Sequence, residues 1–172
     1  MNTPINDRVY QADPQMLYTI IRVVQKLKRD CYICDIFLLI YTACMYNKYA
    51  DDMEIFIYLE VGIVLFLGFA QYLLIVAKGK FINKAIIDIS IVGDEILIKT
   101  AAFSGPFWYK KGSVDLKFSK AQTTVSPMVN PYPSIFRDDK QITKLKYKDK
   151  EAYIVDGYFN WRLEEDLYGK TE

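Results

Sequence analysis

One run of residues limits what this chain can become. From Ile55 to Ala77 the sequence reads IFIYLEVGIVLFLGFAQYLLIVA, and its only strongly polar side chains are Glu60 and Gln71. About 23 residues at ~1.5 Å rise each span the ~30 Å hydrocarbon layer of a bilayer with some tilt. A helix this long and this uniformly apolar is hard to bury in a small domain, so it is read as a transmembrane helix. Across all 172 residues, 52% are apolar and 25% charged. The membrane character is therefore local.

A second apolar stretch, CYICDIFLLIYTACMY, covers Cys31–Tyr46. At about 16 residues, or ~24 Å, it borrows length from its flanks. Only NKYADDME separates the two runs, and so short a link makes them antiparallel neighbours. The expectation is a transmembrane hairpin over 31–78, with spans at about 31–48 and 55–77.

Charge orients that hairpin. Arg22, Lys26, Lys28 and Arg29 precede it, and Lys78, Lys80 and Lys84 follow it, whereas Asp51, Asp52 and Glu54 outweigh Lys48 in the link. Under the positive-inside rule both ends face the cytoplasm or the mitochondrial matrix. Upstream, Asp13-Pro14 is a helix start, because aspartate caps exposed N–H groups and proline suits the first helical position. Residues 14–29 then form an acid-free amphipathic helix with Met16, Leu17, Ile20, Ile21, Val23, Val24 and Leu27 on one side. Such a helix either lies on a membrane surface or packs against a core. The polar segment 1–13 lacks an apolar h-region, so no secretory signal peptide is expected. Domain 1–30 is thus a polar segment plus a basic amphipathic helix.

Several side chains in the apolar runs need separate accounts. Asp35 and Glu60 lie near opposite ends of the spans and are read as interfacial acids; two acids so placed make a poor ion path. Gly62, Gly68 and Ala70 are candidates for close helix packing. Cys31 and Cys34 form a CxxC, but a lone pair without histidine cannot complete a four-ligand metal site. These two and Cys44 are read as small packing residues.

After Gly79 the pattern turns to β. Residues 81–90 and 95–100 read as strands joined by a turn at Val92–Asp94. Residues 113–119, 141–147 and 152–155 continue the series, with turns at 111–112 and 148–151, and a short helix over 160–168 closes the unit. Between these strands, the Pro-rich stretch 120–140 is long for a loop. Its Val129, Tyr132, Ile135 and Phe136 either contact a partner or fold back over the sheet. The 79–172 region is one small antiparallel β-domain, and the fold class is α+β membrane protein: amphipathic helix, two-helix transmembrane hairpin, β-domain with terminal helix.

The composition also excludes functions. The chain has no histidine, hence no Ser-His or Cys-His dyad and no near-neutral imidazole base. No Gly-rich phosphate loop occurs, and a net charge of +1 gives no nucleic-acid footprint. No enzyme, cofactor or metal is expected.

The order of elements, with "IIRVVQKLKR" before the first apolar run, "FINKAIIDISIVGDEILIKTAAFSGPFW" after the second, and "AYIVDGYFNWRLEEDLYG" near the end, resembles the mitochondrial inner-membrane group of transmembrane proteins 186 and 70. The resemblance covers the chain from about Tyr18 onward. It implies a non-catalytic accessory subunit or assembly factor of a respiratory-chain complex or ATP synthase. Its partners would be lipid and other transmembrane subunits, with both termini in the matrix. Members of that group begin with an Arg- and Ser-rich transit peptide and this sequence does not; the acid-free helix 14–29 is a candidate internal signal. The alternative is a bacterial inner-membrane protein with a cytoplasmic pleckstrin-like binding module.

Overall fold

The computed structural model describes residues 8–106, 109–137, 140–160 and 162–168. Phe107 and Trp108, the last two residues of the stretch ending in GPFW, and the first seven residues lie outside them. The chain opens with strand β1 (Arg8–Gln11), followed by helix α1 (Pro14–Lys48) and helix α2 (Met53–Ile82). As the sequence implies, Asp13 caps α1, its side chain accepting the Gln15 N–H at 2.7 Å with Pro14 in the first turn. Asp52 caps α2 in the same way through the Ile55 N–H at 3.3 Å.

The strands follow in order: β2 (Ile86–Val92), β3 (Glu95–Thr100), β4 (Phe103–Ser104), β5 (Lys110–Lys111), β6 (Asp115–Ser119), β7 (Thr124–Met128), β8 (Ile142–Tyr147) and β9 (Lys150–Val155). Helix α3 (Arg162–Tyr168) comes last. All ladders are antiparallel. β1-β2-β3-β6 make one sheet, β4-β5 a second and β7-β8-β9 a third. Gly93, at φ +57°, supplies the positive-φ position that the tight β2–β3 turn requires.

Two hydrophobic clusters hold these parts together. Ile89, Ile96, Ile98, Phe118, Leu145, Ala152 and Ile154 fill the space between the four- and three-stranded sheets, and Leu163 of α3 joins them. The second cluster ties the helices to the sheets. Met16, Ile20 and Val24 of α1 meet Ile75, Phe81 and Ile82 of α2, together with Phe103, Phe136, Ile142 and Val155. Each such side chain removed from water contributes ~1.5–3 kcal/mol, so the base of the helical pair is an integral part of the head. The spacing of Met16, Ile20 and Val24 is the i, i+4 repeat of one helix face. The amphipathic segment therefore uses part of its stripe for core packing: Val23 and Leu27 are partly buried against the same cluster, while Leu17 and Ile21 remain exposed.

The expected architecture needs two corrections. Among the described residues only α2 is long and apolar enough to cross a membrane, so the two-helix transmembrane hairpin is not what the fold presents. The first stretch fails physically because it is short, carries Asp35 and the polar-tipped Tyr32, Tyr41 and Tyr46, and continues without a break from the helix that builds the head. Second, the β-region forms three antiparallel sheets rather than one. At the N-terminal end β1 pairs with β2 from Arg8↔Ile91 to Gln11↔Asp88. The α2 helix also runs past Gly79 to Ile82, so the first strand after it begins at Ile86 and not at Phe81.

Candidate membrane-facing helices and head surface

The two long helices lie side by side and antiparallel. Near their far end the Tyr46 and Phe56 rings meet edge-on at 5.7 Å, and the Thr42 hydroxyl is hydrogen-bonded to the Glu60 carboxylate. At the near end α1 and α2 share the head core. In between, the outward surface is apolar. Ile36, Phe37, Leu39 and Ile40 of α1 and Val64, Leu65, Phe66, Phe69, Leu73 and Leu74 of α2 are all exposed. Only 6% of the most apolar 18-residue stretch of α2 is buried. A core helix of a water-soluble domain shows the reverse, since apolar side chains enter the core to leave water.

The residues singled out from sequence separate in this setting. A Cβ added at Gly62 or Gly68 would meet nothing within 4 Å, so neither packs against a neighbour within the chain. Ala70 is half-buried. Asp35 is exposed on α1, whereas Glu60 is turned toward α1 and shielded there by Thr42, with its Oε2 buried. Cys31 packs against the core while Cys34 and Cys44 are exposed, and all three are free thiols. Among the described residues no cluster of three or more potential metal ligands occurs.

The 120–140 stretch is not one loop, because Thr124–Met128 form β7 against β8, and the segment after β7 mostly folds back. Ile135 and Phe136 are buried, and the Tyr132 ring packs at a tilt against Phe81 with ring centroids 5.2 Å apart. Asn130 organises the turn by accepting the Tyr132 N–H at 3.0 Å and donating to the Phe136 carbonyl at 2.9 Å. Val129 alone of the four candidates stands free, at 88% exposed. The loop thus works chiefly as a cover for the base of α2.

Two features have no single-segment signal. Gly79 is the close-packed glycine of α2: a Cβ there would lie 2.5 Å from Tyr109 and 3.0 Å from Phe103. The β4–β5 hairpin is thereby seated on the last turns of α2. Next to it, the Asn83 side chain closes the helix end by donating to the carbonyls of Ala101 at 2.9 Å and Gly112 at 2.7 Å. The other feature is an ion-pair cluster. Glu151 lies 2.6 Å from Lys144 and 2.8 Å from Lys84, and the hydrogen bonds from Lys144 and Lys84 lower its carboxyl from 4.5 to about 2. Lys84 also sits over the Tyr153 ring at 5.6 Å.

On the outer face of the four-stranded sheet Asp88, Lys99 and Asp115 line up across β2, β3 and β6, beside Ser90, Leu97 and Lys117 in a shallow groove. The Asp88 Oδ1 is buried there without a hydrogen-bond partner. Neither a family model, nor a curated protein, nor a solved structure matches the chain.

Proposed function

We propose that the protein is a non-catalytic, membrane-anchored accessory protein that works by contact. In this reading α2 is the membrane anchor and the head offers its sheets to a partner. The single observation that carries the reading is the exposure of α2: of its most apolar 18-residue stretch only 6% is buried. Leaving such a surface in water is unfavourable, and lipid or apolar helices of other subunits are the environments that remove the cost.

Within that class, the resemblance noted from the sequence favours an accessory or assembly role for a respiratory-chain complex or ATP synthase in the mitochondrial inner membrane. The head favours a second reading. Two antiparallel sheets enclosing one core, closed by the short α3, suit a pleckstrin-like binding module carried on a bacterial inner membrane.

Alkaline carbonate extraction of membranes from cells making the full chain tests the anchor, and retention in the pellet is the expected result. Native electrophoresis after mild solubilisation tests the partner: co-migration with a respiratory or ATP-synthase complex supports the assembly role. Release by carbonate would overturn the proposal as a whole.

A further inference from the structure

The helices reach the head through a ring of positive charge that the sequence alone does not assemble. On α1, Arg22, Lys26 and Arg29 are exposed, and on α2 so is Lys80, one turn beyond the end of the apolar run at Ala77. The pairings Thr42–Glu60 and Tyr46–Phe56 fix the relative height of the helices. At equal rise, that register brings residues 22–29 of α1 level with residues 73–80 of α2. The head then adds two more cations. Because Tyr109 and Phe103 close over Gly79, the adjoining β5 is held beside the last turns of α2, and its Lys110 and Lys111 are both exposed. Opposing charge at this level is sparse: Asp30 is exposed and sits 3.6 Å from Arg29. Lys84, just below, is already occupied by Glu151.

Resting on the reading of α2 as membrane-embedded, we propose that this ring, formed by Arg22, Lys26, Arg29, Lys80, Lys110 and Lys111, binds the headgroups of anionic phospholipids. Position and charge both favour this occupant. These six side chains lie near the level at which the apolar helix surface gives way to the head, the depth of headgroup phosphates in the proposed setting. Clustered lysine and arginine at that depth are attracted to an anionic leaflet, by roughly fivefold in affinity per side chain. The β4–β5 hairpin thereby becomes a lipid-contacting element, with Gly79 as its seat.

The test uses the full chain in nanodiscs of phosphatidylcholine alone or with phosphatidylglycerol added. Amine-reactive labelling read by mass spectrometry reports each lysine. Lys120 and Lys148 serve as references, because they adjoin the β2–β3 and β8–β9 turns at the end of the head away from the helices. The expected result is a several-fold drop in labelling of Lys80, Lys110 and Lys111 in anionic discs, reversed by high salt, with the references unchanged. The double substitution Lys110→Gln and Lys111→Gln, on an exposed strand, should reduce the protection of Lys80. Equal labelling in both discs, with the protein retained in them, would overturn the lipid ring while leaving the anchor intact. Protection in neutral discs by inorganic phosphate alone would overturn lipid as the ligand. Failure to enter discs of either composition would overturn the anchor and the ring together.

Discussion

Tyr109 lies over Gly79 so closely that a single added carbon at position 79 would come within 2.5 Å of its ring. Tyr109 follows Gly79 by 30 residues in the sequence, and glycine is what allows the approach. Gly79→Ala is expected to force the Tyr109 and Phe103 rings apart, at a cost of ~1–3 kcal/mol, as overpacking of a filled core does. A thermal melt of the detergent-solubilised protein measures it; an unchanged midpoint would show that the hairpin is not seated on α2.

The loop over the base of α2 makes an opposite prediction for two of its residues. Phe136 is fully buried, with its ring 6.0 Å from Phe81 and 6.1 Å from Tyr158. Phe136→Ala should destabilise by ~3–5 kcal/mol. Val129→Ser, at an exposed site, should stay within about 0.5 kcal/mol of the parent. Denaturant midpoints for the two variants decide it.

Acid should act through Glu151. Its carboxyl titrates at about 2 in the fold against 4.5 ordinarily, so it binds a proton more readily when unfolded. The stabilisation is therefore complete above about pH 4.5 and is lost as the pH falls toward about 2. Allowing for solvent screening of a partly exposed cluster, ~1–2 kcal/mol is at stake. Glu151→Gln should be less stable than the parent near neutrality, and the gap should close across that acid window. A gap independent of pH would mean the Lys84 and Lys144 pairs contribute nothing.

The first strand is held by the last helix. Asp166 of α3 accepts hydrogen bonds from the Tyr10 hydroxyl and the Arg8 guanidinium, and these hold its carboxyl below the usual aspartate range. Asp166→Asn should speed amide hydrogen exchange in Val9–Gln11 while leaving β8 and β9 protected. Equal exchange in β1 before and after substitution would remove the clasp.

How legible this fold is in the sequence depends on the range of the interaction. The capped start of α1 and the alternation of β3, with Ile96 and Ile98 inward and Leu97 outward, are local and can be read directly. So can the apolar character of α2. Nothing in Lys28-Arg29-Asp30-Cys31 stops a helix, yet the change from amphipathic to apolar there invites a division that α1 does not make. β1 has four residues and no apolar run, and its strand state comes from pairing with β2 some 80 residues away. Gly62 and Gly68 look like packing glycines but face open space, while Gly79 derives its role from a hairpin that no local pattern reveals.

The junction below Gly79 has a mechanical consequence. Phe81 and Ile82 belong to the last turn of α2 and to the head core at once. Ala85 then receives the Ala101 N–H at 2.8 Å, and β2 begins at the next residue. With no slack between rod and body, whatever leans α2 (a thinner or thicker bilayer, under the proposed function) would tip the entire head with it, as a mast moves with its deck.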